Sequence, residues 1–586
     1  MKSNRIIAAS LLSAALLFGT AAEACTNFLF SKGATKEGAP MITYAADSHT
    51  LYGELYYRRA ADYPAGTLFQ VIDWDSGRPL IQIPQVAHTY SVVGNMNEHA
   101  LAIGETTYGG REELAKEIEG GIDYGSLIYL TLQRAKNARE AIVTLAGFLR
   151  DYPYHSEGES FSIADPDEVW IFELIGKRTG TVKADLAKKL KYKYTDGGVW
   201  VARRIPDGYV SGHANQARIT QFPQEPKKFS KTKGKGLHAA ISSTHLDYIY
   251  EPEVECVYST DVITYARACG WYDGTDADFS FCDTYAPLTF SGMRGCDARV
   301  YAMFNRVASG MQRYEKYAMG DAHAERLPLW VKPDHKISLL EAMNLMRDHY
   351  EGTSMDMTKD LGAGPFNCPY RWRPMGFEVD GHQYIHERAT STQQTGFSFV
   401  AQCRPGFNPK VGGIIWFGVD DTYSTVYTPM YCGITEIPLC FRQGNGDMVT
   451  YSETSAFWLF NRVTNFVYSR YSDMIRDLQK VQSRLEKGYI DDVRKFDARV
   501  NNLDGDALTA ELNKFSSRQA DKMMAEWNKL DRYLLVKYMD GNIKKEKDGR
   551  FERTETGMSA MPNMPEYRPE WYRMIVRDHG DVIRER

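Results

Sequence analysis

Apolar positions fall into short strand-like runs through the first three-quarters of the chain and into helical spacing in the last quarter. Residues 25–30 and 41–45 are apolar and extended in character, with turn residues between Gly33 and Pro40, which predicts a hairpin that starts at Cys25. Residues 91–94 and 100–104 flank the polar stretch Asn95-Met96-Asn97-Glu98-His99 and predict a second hairpin with Asn97 at its tip. Residues 161–164 and 169–175 bracket Asp165-Pro166-Asp167 as a third. Leu127, Leu130, Ala135, Ala138, Ile142, Leu145 and Leu149 recur at helical spacing over 126–150. A glycine-flanked strand at 413–419 ends in Asp420-Asp421, with 425–430 as its expected partner. This alternation from Cys25 to about Cys440 fits a layered domain of strands and helices.

From about residue 456 the period changes. Phe460, Val463, Val467, Met474, Leu478, Val481 and Leu485 keep helical spacing to about 487, and a second such stretch covers 507–538, so two long helices are expected to close the chain. Glu511, Lys514, Arg518 and Lys522 read as a solvated helix face, and 559–569, rich in Met and Pro, reads as irregular. The expected organisation is an export signal at 1–24, a main domain at 25–450 and a helical region at 451–586. The helical region is expected to pack on the main domain or to mediate self-association, which would make the protein a homo-oligomer.

The first residues carry two positive charges (Lys2, Arg5), then an apolar run from Ile6 to Phe18, then small residues to Ala24. That order is a secretory signal peptide: the run is short of the roughly 18–20 residues that span a bilayer, and Ala22-Glu23-Ala24 is a cleavage site. Cleavage there leaves Cys25 at the amino terminus of an exported protein, periplasmic or extracellular. A cysteine in that position has three readings: half of a disulfide, a lipid anchor, or a nucleophile. Lipidation favours a Leu-like residue three positions upstream, where this chain has Ala22, so the lipid-anchored reading is the weaker. Of the nine cysteines, eight could pair in an oxidising compartment and leave Cys25 over.

At 586 residues the chain exceeds what one core of about 250–300 residues holds. The formal net charge of −5 comes with no Lys/Arg block that would track phosphates, so no nucleic-acid partner is expected. No second apolar run reaches membrane-spanning length.

A terminal Cys can act without a histidine. Its α-amine, with a pKa of about 7.7–8.0, can take the proton of its own thiol, whose pKa is about 8.5. Such a site also needs an oxyanion hole of backbone N–H groups and a side-chain amide. No His-Glu-x-x-His motif, paired Cys-x-x-Cys or Gly-x-Ser-x-Gly elbow occurs, and His382 and His386 lie in a strand-like or turn setting where a spacing of four makes no metal site. The mechanism needs no metal and no other cofactor.

Cys25-Thr26-Asn27-Phe28, Gly33-Ala34-Thr35, Gly38 and Asp47-Ser48-His49 resemble the opening of the dipeptidase A-like cysteine peptidases of the N-terminal nucleophile (Ntn) hydrolase superfamily. Gly94-Asn95-Met96-Asn97-Glu98, Gly104-Glu105-Thr106, Glu157-Gly158-Glu159-Ser160-Phe161, Trp200-Val201-Ala202-Arg203-Arg204 and His213-Ala214-Asn215-Gln216 continue the resemblance in order, over about 25–440. The resemblance implies an α+β fold, a four-layer αββα sandwich with the C-terminal helices as an extension, and hydrolysis of dipeptides or short peptides. It makes Cys25 the nucleophile and base, Asp47 the acid that orients the amine, Asn97 the oxyanion-hole side chain and Asn215 a second polar site residue. Related amidases place an Arg shortly before that Asp, where this chain has Tyr44, Ala45 and Ala46; Arg299, from the segment 294–299, is expected to supply the charge. Glu105 and Glu173 follow apolar strand residues and are candidates for binding the substrate's ammonium group. Turn chemistry alone would also account for Asn97, a turn cap for Asp47, and solvent-facing strand ends for Glu105 and Glu173. Two other functions stay open: an Ntn amidase of the bile-salt or penicillin V acylase type, and a non-catalytic surface lipoprotein that binds peptides or glycans.

Overall fold

The computed structural model describes residues 25–115, 118–226, 239–500 and 502–586. The expected export segment, 1–24, lies outside them. The protein has a mixed α+β structure with several sheets. Its principal strands are β1 (Asn27–Phe30), β2 (Met41–Asp47), β3 (Ala102–Gly109), β4 (Gly158–Ala164), β5 (Val169–Gly176), β6 (Gly198–Arg204), β7 (Val210–His213), β8 (Thr395–Cys403), β9 (Gly413–Val419) and β10 (Thr428–Tyr431). One sheet runs in the order β7-β1-β2-β8-β9-β10 with Trp330–Val331 beyond β7. The other runs β6-β5-β4-β3, extended past β3 by Met96–Asn97, Val92–Val93 and Tyr57–Arg58 and past β6 by Cys256–Tyr258 and Ala240–Ser242.

All the principal pairings are antiparallel, and their registers follow the hydrophobic pattern: Leu29 opposite Ile42, Ile163 opposite Trp170, Ile414 opposite Tyr431. Strands of both sheets are buried along their whole length, because each sheet is covered on both faces. Between the sheets lies a polar seam. The His213 ring accepts or donates at both nitrogens, to Thr106 Oγ1 (2.7 Å) and Ser162 Oγ (2.7 Å), and burial pushes its pKa down to about 3, so it bridges the sheets as a neutral imidazole.

Helices α1 (Tyr124–Leu132) and α2 (Ala138–Asp151) pack on the β3–β6 sheet. The single helix expected over 126–150 is thus two. Asn137 breaks it by capping α2, its side chain accepting from Glu140 N at 3.0 Å, as Asp123 caps α1 through Ser126 N at 3.2 Å. Asp165, in the expected turn, accepts from Asp167 N and Glu168 N and also from Ala138 N at the start of α2. The second hairpin also differs. Gly94, at φ +55°, makes the tight turn, so Val92–Val93 pairs with Met96–Asn97 and Asn97 lies in a short strand, not at a tip.

Helices on the other sheet are α3 (Ala298–Val307), α4 (Ala456–Ser469), α5 (Tyr471–Val500) and α6 (Gly505–Tyr538). The first expected C-terminal helix is divided at Arg470, whose backbone is non-helical (φ −146°, ψ 56°) and whose guanidinium turns to Asp473 (2.6 Å). A short helix, Pro569–His579, follows the irregular stretch. The long helices share one apolar core with β9 and β10: Phe460 stacks on Trp527 (4.4 Å between centroids), and Tyr431 of β10 packs on Phe496 and Phe515 and donates to Asp497 at 2.6 Å. Among the described residues, no helix is long and apolar enough to cross a membrane. The eight cysteines other than Cys25 keep free thiols, so the pairing that their even number allows is not used.

Arg347 donates to Glu486 of α5 at 3.1 Å, both side chains buried, and Glu486 also accepts from Tyr427 N at 3.1 Å. Removing one partner of such a pair strands a buried charge, so Glu486→Ala is expected to lower unfolding stability by about 3–5 kcal/mol, read by chemical denaturation of the full chain.

Candidate active site

Cys25 stands one residue before a bridge that prolongs the β1–β2 hairpin: Thr26 N donates to Ala45 O (3.2 Å) and Ala45 N to Thr26 O (3.0 Å). The ladder therefore fixes where the thiol points, which is into a cleft of about 300 Å³. That volume is at the small end of the range for ligand pockets, the size of a small substrate. Only 5% of Cys25 is exposed. Its Sγ lies 3.4 Å from Glu105 Oε1 and 3.7 Å from the Tyr44 hydroxyl, and that hydroxyl itself donates to Glu105. Burial first, then the neighbouring Cys25 and Glu105, push the Tyr44 pKa well up, so the phenol stays protonated and remains a donor. Glu105 also adjoins a second buried carboxyl, Glu159, whose pKa is raised well above the usual range by burial and by Glu105; Thr107 Oγ1 donates to Glu159 at 2.6 Å.

Arg299, on α3, is 1% exposed and reaches the backbone of Cys25. Its Nη1 donates to the Cys25 carbonyl (2.7 Å) and to Thr26 Oγ1 (2.8 Å), and its Nη2 to Ala214 O (3.1 Å) and Asn215 Oδ1 (2.9 Å). Asn215 takes φ +60° and spends its amide on Thr107 O at 2.6 Å. Asp47, at the end of β2, accepts from Arg388 (2.8 Å) and Thr395 (2.6 Å); burial pushes its carboxyl up while those two partners oppose the shift.

The far wall is aromatic. Trp74 packs edge-on to Tyr56 (4.8 Å) and against Tyr129 (5.1 Å), and Asp75 beside it accepts from Tyr124 at 2.9 Å. Gly125, in α1, must be glycine for this arrangement, because a Cβ there would lie 2.6 Å from Trp74 Cβ.

Of the residues singled out from sequence, Cys25, Asp47, Glu105, Asn215 and Arg299 are brought together. Asn97 and Glu173 are not. Asn97 Nδ2 gives both its hydrogens to Leu132 O (2.8 Å) and Ala135 O (2.7 Å), and its Oδ1 accepts from His99 N and Leu101 N, so it braces the end of α1 and has no donor left for an oxyanion. Glu173 is fully buried and accepts from Arg218 N (2.6 Å) and Ile219 N (2.9 Å), which ties β5 to the segment after β7; it does not line the cleft. Sequence reasoning missed Tyr44, Asn95, Asp75 and Arg388. Asn95 lies within a quoted motif and Tyr44 just before Asp47, though neither was given a role, whereas Arg388 is 341 positions from the carboxylate it holds, with no local spacing to reveal it.

The Asp420–Asp421 pair follows β9 and does not line the cleft. Asp420 Oδ1 accepts from Asn461 of α4 (3.0 Å), and Asp421 accepts from Ser391 and Tyr468. The His382 and His386 segment is a strand and its margin, as expected.

A scan against protein-family models matches residues 24–484 to peptidase family C69, beyond the stretch whose motifs carried the resemblance. Similar proteins include a probable dipeptidase of Salmonella dublin (21% identical, covering 70% of this chain and 81% of the relative) and probable dipeptidase A of Streptococcus pyogenes serotype M3 (25%, 80% and 88%). Another is probable dipeptidase B of Lactococcus lactis (21%, 70% and 69%).

Two outcomes follow. Asn97→Ala leaves several buried backbone groups unpaired and is expected to cost at least about 2 kcal/mol of stability, measured by chemical denaturation. Burial, and then Asp421, raise the Asp420 pKa to about 7. A raised folded pKa gives stability that is complete below the unfolded value and is lost as pH rises through the folded one. Asp420→Asn should therefore gain stability relative to the wild type between about pH 4 and pH 8, read as the difference in denaturation midpoint.

Proposed function

The chain belongs to peptidase family C69, a family of cysteine peptidases, and on that premise we propose that it hydrolyses dipeptides with Cys25 as the nucleophile. The observation that carries this reading is the placement of the Cys25 thiol on the wall of a small cleft, between the Tyr44 phenol and the Glu105 carboxylate, with the Arg299 guanidinium on its own carbonyl. The names of the similar proteins point the same way.

The fold reading is a four-layer αββα sandwich of the Ntn superfamily. It is supported by the hydrogen-bonded seam between the two sheets and by the helices packed on each of them. Removal of 1–24 on export would give Cys25 the free α-amine that the mechanism needs. The amine takes the thiol proton, the thiolate attacks the peptide carbonyl, and the tetrahedral oxyanion forms. The donor on the cleft wall for that oxyanion is the amide of Asn95, which has one hydrogen on Ile103 O (2.9 Å) and a second to give. The protonated amine then passes its proton to the leaving amino acid as the C–N bond breaks. The same amine activates water to cleave the thioester, which releases the amino-terminal residue and restores the thiol.

Asp47 and Arg299 set the electrostatics of this cycle. Arg299 favours the thiolate, and its charge, close to the amine, favours the neutral base. Asp47, locked by Arg388 and Thr395, offers a carboxylate to orient the amine. Glu105 and Asp75 give the cleft the negative charge that a substrate ammonium requires.

Amino-acid release from a panel of free dipeptides, compared between the mature protein and Cys25→Ala produced in the same way, tests the reading. Hydrolysis by the wild type and a fall of several orders of magnitude in the variant is the expected result. Full activity in Cys25→Ala would rule out this mechanism, and hydrolysis of acyl amides without dipeptides would move the assignment to an Ntn acylase.

A further inference from the structure

A dipeptide differs from longer peptides and amides in carrying a carboxylate one residue beyond the bond that breaks. The cleft described above has carboxylates for the ammonium end. Around Asp47 the charge is reversed. Arg299, Arg373 and Arg388 interact electrostatically with Asp47 or with one another, and Arg388 pairs with Asp47. Arg299 spends its donors on neutral oxygens. The nearby Glu387 is engaged by Arg294.

Arg373 is the underused member. It is half-buried, and its Nε is buried with no hydrogen-bond partner. Its Nη2 has a long bond to Thr392 Oγ1 (3.3 Å), and among the described residues it forms no ion pair. Its place is fixed by the loop that leads into β8. Gln393 donates to Arg371 O (2.6 Å), Ser48 N donates to Gln394 O (3.0 Å), and Thr395 joins the Thr392 carbonyl to Asp47. That loop abuts residues 47–51, of which Asp47, Ser48, Thr50 and Leu51 line the cleft. Burying a guanidinium without a counter-charge is costly, and planar forks of this kind are matched by carboxylates. Burial and the neighbouring guanidiniums push the Arg373 pKa down to about 10, which leaves it charged at neutral pH.

We propose that Arg373 is the anchor of a subsite for the substrate's terminal α-carboxylate, on the Asp47 side of the cleft, so that the enzyme selects dipeptides by their two opposite charges. This subsite rests on the dipeptidase reading. It makes the cleft bipolar: carboxylates Glu105 and Asp75 hold the ammonium, Arg373 holds the carboxylate, and Cys25 meets the single peptide bond between them.

The test compares a good dipeptide with its C-terminal amide in the wild type, Arg373→Met and Arg373→Lys. The wild type is expected to prefer the free carboxylate. In Arg373→Met, KM for the dipeptide should rise about ten- to a hundredfold with kcat largely kept, while the amide is unaffected, and Arg373→Lys should recover part of the loss. Equal kcat/KM for dipeptide and amide in the wild type would overturn the subsite and leave the dipeptidase reading standing. A KM increase of the same size on both substrates in Arg373→Met would overturn it too, since a merely structural arginine acts on both alike. A folded wild type with no action on any dipeptide would overturn the parent reading itself.

Discussion

The site depends on one buried cation. Arg299 comes from a helix on the outer side of one sheet and ends on the backbone of the first described residue, and on the way it binds the turn at Ala214 and Asn215. A guanidinium that is 1% exposed can be tolerated only with its donors satisfied, and here the oxygens that satisfy them belong to three separate stretches of chain. The cost of burying the charge thus becomes a constraint on geometry: these stretches must converge, and Cys25 is held where they do. The left-handed backbone at Asn215 follows from the same demand, since its side chain must accept from Arg299 while donating to Thr107 O.

With Cys25 fixed from behind, the cleft in front of it is free to vary in charge. On one side two carboxyls, Glu105 and Glu159, share a buried setting that favours one proton between them, and the Tyr44 phenol connects this pair to the thiol. On the other, Asp47 is outnumbered by guanidinium groups. The aromatic wall built on Trp74 and Gly125 lines the cleft between these poles with apolar surface.

Much of this was legible in the sequence because it is local. The β1–β2 hairpin, the turn at Asp165 and the helical spacing beyond residue 456 are periodicities and turn residues, and they stand where the pattern places them. Cys25, Asp47, Glu105, Asn215 and Arg299 could be singled out because each lies in a compact motif. Asn97 and Glu173 show the limit: both are polar residues in apolar surroundings, and whether such a residue faces a substrate or a bare peptide group depends on what another part of the chain leaves unsatisfied. For Asn97 that was the end of α1, and for Glu173 the peptide after Arg218. The division of the helices at Asn137 and Arg470 is likewise decided by caps and ion pairs that the apolar period does not record.

The order of strands in the first sheet has a temporal meaning. Its amino-terminal hairpin is flanked by β7 and β8, so the edge of residues 41–47 that faces away from β1 finds its partner only among 395–403. Such long-range pairing is slow to form, because a large loop must close before any contact rewards it. Asp47 gains Thr395 and Arg388, and the cleft gains Phe397, in that same closing step. Cys25 is therefore made early and its surroundings are completed late, and a partly folded molecule carries this thiol with neither the cleft nor the charges around it.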